Sequence, residues 1–221
     1  MTTDDVLAAP VRVVAHAGWS EIVMIDGRKR NPLGSRMVDA LTTAMDEAIA
    51  RGEVACLISA EGPVFSAGAD LRESLDGSAA SERLVEYLES VDLLVVAKVS
   101  GGVFGAAVSV LAECPIVLMD PSARLALPEA QLGFYPRGVV DRLRGLFPAG
   151  RLLAASLTGD PLTVGEAVAG GLVSRALAGD VLDREAEALM DLVTGRPGVA
   201  RGAREHHVAM RDALRGHPAS S

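Results

Sequence analysis

Three times in the first half of the chain an extended apolar run passes through a small-residue or polar turn into a helix-spaced pattern, and this recurrence limits the fold more than any other feature. Val11 to Val14 and Glu21 to Ile25 are short strand patterns around His16-Ala17-Gly18, which reads as a hairpin. Met37, Leu41, Ala44, Met45, Ala48 and Ile49 then recur at three- and four-residue spacing, an amphipathic helix closed by Gly52. A strand at Val54 to Ser59, a polar stretch at Asp76 to Ser81 and a helix near Glu82 to Ser90 make the second cycle. A buried strand around Leu93 to Val99, the glycine-rich turn Gly101 to Gly105 and an apolar helix ending near Ala112 make the third. Strands at Pro115 to Met119 and Arg124 to Leu127 follow. Beyond Pro148 the strands are expected to be finished, with helical spacing at Gly150 to Leu157, Thr163 to Gly170, Val181 to Val193 and Ala200 to Leu214. The pattern specifies an α/β portion followed by a helical one, and by itself admits either a doubly wound sheet or a spiral of strand-strand-helix turns.

A chain of 221 residues with 49% apolar content buries one substantial core rather than two. Its formal net charge of -8 sets up no overall positive field for a nucleic acid or an anionic membrane surface, so any anionic ligand must be captured locally. The longest apolar runs, Leu93 to Ala97 and Val103 to Ala112, fall short of the roughly 20 residues that a bilayer span needs. The N-terminal Met-Thr-Thr-Asp-Asp carries acids where a secretory signal carries positive charge, and the expectation is a cytoplasmic protein. Cys56 and Cys114 belong to no CxxC or Cys/His cluster, so two buried reduced thiols are expected and no metal site.

Two turns carry the chemistry. In Gly62-Pro-Val-Phe-Ser-Ala-Gly-Ala-Asp-Leu-Arg-Glu73 a strand runs into small residues that let a ligand approach the backbone, where free N–H groups can hold an oxyanion. In Lys98-Val-Ser-Gly-Gly-Val-Phe-Gly-Ala-Ala-Val-Ser-Val-Leu-Ala112 a glycine-rich turn opens a helix whose N-terminus presents unpaired N–H groups and a partial positive charge. The glycine spacing fits neither GxGxxG after a first strand nor GxxxxGK[ST], which argues against a phosphate loop.

Taken together, these segments resemble the crotonase (enoyl-CoA hydratase/isomerase) superfamily. FSAGADLRE is similar to the family's FxAGADLKE, and VSGGVFGAAVSVLAE to its VNGxAxGGGxELA. Leu125 to Pro136 resembles FxxPExxLGLxP, Leu157 to Val173 resembles LTGxxxxAxEAxxxGLV, and Arg30-Asn-Pro-Leu33 resembles the RNPL that precedes the first helix. The resemblance implies a spiral of ββα turns over residues 1–175, with a helical oligomerisation region over 176–221 of the same domain and a homotrimer or hexamer as the assembly.

It also implies an acyl-CoA thioester as substrate, within the chemistry of fatty acid metabolism, with coenzyme A arriving as part of the substrate and no further cofactor. The thioester oxygen would sit between the backbone N–H groups of Ala69 and Ala106, with Ala67, Gly68 and Gly105 shaping the turns around it, and Glu129 would act as general acid/base on the acyl α- or γ-carbon. A carboxylate among apolar neighbours has its pKa raised toward working pH, which suits that role. Arg28 and Arg30, in the one tight basic triplet, would contact the CoA phosphates. Phe134 and Tyr135 would line the acyl pocket, and Trp19 would pack the N-terminal hairpin.

Departures from the family pattern shape the expected reaction. Gly-Gly-Gly has become Gly105-Ala106-Ala107, adding methyl groups that narrow the acyl slot. The second glutamate of the hydratases is Ser109 here, Leu93-Leu94 replaces a frequent Lys-Pro, and Ser100 replaces an Asn. Two carboxylates help to position the water of a hydration, whereas one suffices to move a proton between carbons, so the sequence leans toward isomerisation of a 3-enoyl thioester. Hydration, acyl-CoA decarboxylation and a catalytically weak accessory subunit are the alternatives. His206 and His207, with no GxSxG elbow and no ligand spacing, read as surface histidines.

Overall fold

The structure is a computed structural model and describes residues 9–73 and 78–216. The acidic N-terminal residues Met1 to Asp5 and the first residues of the polar stretch at Asp76 lie outside the described residues. The chain runs through β1 (Val11–Ala15), β2 (Ser20–Met24), α1 (Ser35–Ala50), β3 (Ala55–Ala60), β4 (Val64–Ser66), α2 (Ser78–Ser90), β5 (Leu94–Val99), β6 (Gly102–Phe104), α3 (Ala106–Glu113), β7 (Ile116–Met119) and β8 (Arg124–Ala126). After a 3-10 turn at Pro128–Leu132 come α4 (Arg137–Leu143), α5 (Ala149–Thr158), α6 (Val164–Ala169), β9 (Arg175–Ala176), α7 (Asp180–Thr194) and α8 (Pro197–Arg215).

A six-stranded sheet has the order β1-β2-β3-β5-β7-β9 and a three-stranded sheet the order β4-β6-β8. Among the named strands of the described residues the β1–β2 hairpin is antiparallel and the other pairings are parallel. From β3 onward each cycle gives one strand to each sheet, and β4 and β6 each lead on into a helix. This is the ββα spiral, and the doubly wound alternative is set aside.

Side chains alternate across the large sheet because successive strand residues face opposite ways. Cys56, Ile58, Val95, Ala97 and Val99 join the main core beneath α1, α2 and α3. Ala55, Leu57, Leu94 and Val96 face the other way and pack with Leu182, Ala186, Met190 and Val193 of α7. Both faces are thus covered, as strands rich in Val, Leu and Ile require when they pair in parallel. Both cysteines are buried and unbridged, as expected.

The structure adds elements that local pattern did not reveal. β4 and β6 occupy stretches read as turns, because three-residue strands are specified by the neighbours they pair with rather than by their own periodicity. α4 fills the stretch after Tyr135, and β9 falls beyond Pro148, where no further strand was expected. Trp19 stacks on His16 with ring centroids 3.8 Å apart, as a hairpin residue should. Its indole N–H also donates to Asp191 of α7 at 3.0 Å, so it ties the hairpin to the C-terminal helices. His206 is exposed, but His207 is half-buried against α3, which corrects its reading as a surface residue.

Candidate active site

The turn after β4 is held in place by a buried asparagine. Asn31 and its neighbour Arg30 adopt left-handed backbone angles, φ 49° and 66°. The Asn31 amide donates to the carbonyls of Glu61 and Val64 at 3.1 Å each. The Ser66 hydroxyl donates to the Asn31 carbonyl at 2.7 Å and accepts from the Gly68 N–H at 3.1 Å. Backbone bonds from Ala67 N–H to Arg30 O and from Leu33 N–H to Gly68 O, both 2.8 Å, complete the clamp. Asp70 and Arg72 pair at 2.6 Å, and that hydrogen-bonded guanidinium holds the Asp70 carboxyl below the usual carboxylate range. Glu73 accepts from the Ser35 N–H at the start of α1 at 2.8 Å. The polar residues of this motif are therefore structural, and none of these bonds takes up the Ala69 N–H.

The second turn supplies the start of α3. Gly105, at φ 52°, is anchored to β8 by a 2.9 Å bond from its N–H to Ala126 O. Ala106 is the first residue of α3, and an N–H in the first turn has no intrahelical acceptor. Neither the Ala69 nor the Ala106 N–H donates to another described residue in the turn and loop hydrogen bonds. The two turns meet at Gly68, where an added Cβ would lie 3.2 Å from the Ala106 nitrogen.

Glu129 stands on the 3-10 turn that follows β8, with Pro128 before it. Its Oε1 occupies the space a side chain on Gly105 would take, 2.5 Å from an ideal Cβ at that position. Its Oε2 is buried without a hydrogen-bond partner among the described residues. Burial pushes the Glu129 carboxyl above its ordinary pKa, because no cation compensates the lost hydration.

A cleft of about 350 Å³ opens over these groups. Of the residues expected from the sequence, it brings together Ala67, Ala69, Gly105, Ala106, Glu129, Phe134 and Tyr135. Gly68 lies beneath the lining as the contact between the turns. Arg28 and Arg30 do not line the cleft; both are exposed, on the 3-10 turn beside Ala67. The methyl of Ala107 does not narrow the slot either, because it is buried with Met24, Leu33 and Phe65, and only the Ala106 methyl faces the cleft. Sequence reasoning missed the α4 wall, where Arg137, Gly138 and Val139 border the cleft. The signal was Pro136 followed by Val139, Val140 and Leu143 at helical spacing. It also missed Asn31 and Ser66, whose buried polar character only the fold makes visible. Two N–H groups without a turn or loop acceptor and a carboxylate of raised pKa, on residues lining one cleft, can polarise a carbonyl and move a proton next to it.

Known proteins share this architecture. The family model described as enoyl-CoA hydratase/isomerase matches residues 15–215. The chain is 29% identical over 180 residues to the mitochondrial enoyl-CoA hydratase domain-containing protein 3 of Rattus norvegicus, covering 76% of this chain and 60% of that one. It is 30% identical over 164 residues to the probable enoyl-CoA hydratase of Bacillus subtilis (strain 168), covering 69% of this chain and 64% of that one. The matched region thus spans under two thirds of the length of either curated relative. The crystal structure of human enoyl coenzyme A hydratase domain-containing protein 3 superposes with a TM-score of 0.80 at 23% identity, over 92% of this chain and 90% of that one. A probable enoyl-CoA hydratase from Mycobacterium smegmatis gives 0.82 at 22%, over 93% and 87%. At these identities the two structures share the fold.

Proposed function

The chain belongs to the enoyl-CoA hydratase/isomerase family, and on that premise we propose that it acts on an acyl-coenzyme A thioester through an enolate, with isomerisation of a 3-enoyl thioester as its principal reaction. The thioester oxygen is held by the Ala69 and Ala106 N–H groups. Glu129, as carboxylate, takes the α-proton; the electron pair moves onto the thioester oxygen; and Glu129, as acid, returns the proton at the γ-carbon. Donors of this kind have been worth about 3–4 kcal/mol each in other enzymes, so two of them supply much of what an enolisation needs. The observation that carries the reading is the placement of the Glu129 carboxyl over Gly105, with its Oε2 buried and without a hydrogen-bond partner among the described residues.

The apolar lining suits an acyl chain, and the exposed guanidinium groups of Arg28 and Arg30 suit the phosphates of coenzyme A outside the cleft. The reaction calls on no metal and on no cofactor beyond the coenzyme A that the substrate carries. A homotrimer or hexamer in the cytoplasm belongs to the same proposal, and light scattering and cell fractionation test it.

Incubation in D2O with 3-enoyl-, 2-enoyl- and malonyl-type CoA thioesters tests the chemistry, with Glu129→Gln in parallel. Deuterium uptake at the α- and γ-carbons together with double-bond migration, abolished in the variant, is the expected result. Coenzyme A binding without exchange on any thioester would overturn the enolate reading and favour an accessory, non-catalytic subunit.

A further inference from the structure

Three charged side chains border the cleft, those of Glu82, Glu129 and Arg137, and two of them are accounted for. Glu129 is the base of the proposed reaction. Glu82 of α2 pairs with Arg142 of α4 at 3.0 Å. Arg137, the first residue of α4, is the one cation among the described residues that line the cleft. Its guanidinium makes no ion pair or hydrogen bond with another described residue. The arginines further along behave differently, since Arg142, Arg211 and Arg215 all turn to the buried Glu113.

Nothing in the fold rewards a cation at this position. The start of a helix carries a partial positive charge, so a guanidinium there is mildly disfavoured. Arg137 does nothing for Glu129 either: burial pushes that carboxyl up, and no neighbouring cation opposes the shift. The guanidinium therefore stands clear of the group that moves the proton.

Its wall is also distinct from the one that faces coenzyme A in the reading above. Arg28 and Arg30 stand on the 3-10 turn beside Ala67. Arg137 belongs to the wall built by α4 and α2, where an added Cβ on Gly138 would lie 2.9 Å from Glu82 Oε1. The lining is otherwise largely apolar, with Leu71, Leu132, Phe134 and Val139 in it. A plain alkyl chain in this cleft would partly dehydrate Arg137 and offer it nothing to bond, a cost that a ligand with its own anion avoids. Tyr135 adds a hydroxyl that likewise has no hydrogen-bond partner among the described residues. The Arg137 N–H donates to the Tyr135 carbonyl at 2.8 Å, which holds the two residues in one tight turn.

We propose that the acyl group taken by this cleft ends in a second carboxylate, and that Arg137 selects it, its guanidinium donating to that carboxylate while the intervening methylenes lie along the apolar lining. The substrate class is a dicarboxylic acid carried as its mono-CoA thioester. Arg137 is the specificity-determining residue, and the Tyr135 hydroxyl is a second donor to the same carboxylate.

This inference rests on the thioester reading, and the test separates the two. Unsubstituted protein, Arg137→Ala and Arg137→Glu are compared in two measurements; Arg137 is exposed, so the substitutions spare the core. The first is binding of adipoyl-CoA against hexanoyl-CoA, which are saturated and matched in length. The second is double-bond migration in the mono-CoA thioester of 3-hexenedioic acid against 3-hexenoyl-CoA. The unsubstituted protein is expected to favour the dicarboxylate by about fivefold, the factor a charge pair at an exposed rim supplies, in binding and, through KM, in turnover. Arg137→Ala should erase the preference and Arg137→Glu should reverse it. No preference in the unsubstituted protein, or a preference that survives in Arg137→Ala, would overturn the inference and leave the enolate reading standing wherever the thioesters still react. A binding preference that Arg137→Ala erases, with no turnover of either thioester, would uphold the carboxylate selection and overturn the enolate reading instead. Binding of neither thioester would overturn both.

Discussion

Gly68 lies against the backbone of Phe104, so close that a Cβ on it would stand 2.5 Å from the Phe104 carbonyl oxygen. Backbone touches backbone there, and this contact sets the spacing of the Ala69 and Ala106 amides. Gly68 also has φ +83°, where a Cβ is strained even in open space. Gly68→Ala is expected to lower stability by about 2–4 kcal/mol, combining that strain with overpacking. It should also cut thioester exchange by about 100-fold, since a displacement near 1 Å in a donor pair is enough for such a loss. Chemical denaturation and the D2O assay measure the two effects separately.

Glu129→Gln is expected to abolish exchange by at least about 100-fold while leaving the fold intact or slightly stabilised. The raised carboxyl gives the sign. Its native pKa lies above the unfolded value, so the folded state binds the extra proton between the two, and stability is lost as pH rises through that window. At neutral pH the native protein carries the desolvated charge as a cost, and the amide removes it. Exchange in the unsubstituted protein should instead fall on acidification through the raised pKa, as the base becomes protonated. The Glu129 contribution to stability, read as the difference between thermal melts of the unsubstituted protein and Glu129→Gln, and the exchange rate should therefore run in opposite directions across pH.

Asn31 is fully buried, and its amide ties two carbonyls of the β3–β4 connection. Asn31→Ala leaves both carbonyls without that donor and puts alanine at φ 49°. A loss of about 3 kcal/mol follows from the orphaned acceptors and the backbone strain. Urea midpoints measure it, and exchange activity should fall with it, since the loop that carries Ala67 loses its clamp.

How far the sequence disclosed this molecule depended on the range of the interactions involved. Strands such as β3 and β5 and helices such as α1 and α7 were legible because their apolar spacing matches the faces they bury. β4 and β6 were not, because three residues carry no period and their pairing partners are distant in the chain. Glu129, Ala69 and Ala106, which the fold brings to one cleft, were singled out by motif resemblance, which compresses long-range proximity into order along the chain. Asn31, Ser66 and the α4 wall stayed hidden because their neighbours come from other turns of the spiral. Ser109 was noticed as a missing carboxylate, and only the fold shows its hydroxyl to be buried and without a hydrogen-bond partner among the described residues.

His207 offers a test of how α8 is held. Its ring packs against α3, its Nε2 is buried without a hydrogen-bond partner among the described residues, and burial lowers its pKa to about 4, with Arg211, Arg215 and Arg204 adding repulsion. The bond to the Glu113 backbone opposes the shift without cancelling it. An unfolded histidine titrates near 6.5, so between that value and about 4 the unfolded chain binds a proton that the native chain refuses. Stability from this group is present above about pH 6.5 and is lost as pH falls toward 4. After discounting for the partly exposed ring, the loss is on the order of 1–2 kcal/mol. Glu166, held down to about 2 by Arg151, loses its contribution only below the ordinary carboxylate range, and Glu129 acts with the opposite sign. Comparison with a variant therefore isolates the histidine. Urea unfolding at about pH 7, 5.5 and 4.5, which brackets most of the window, should show His207→Leu losing less stability than the unsubstituted protein. Hydrogen exchange along Pro197–Arg215 should show the difference concentrated in α8, and equal slopes for the two proteins would mean that the ring takes up its proton alike in the native and unfolded states.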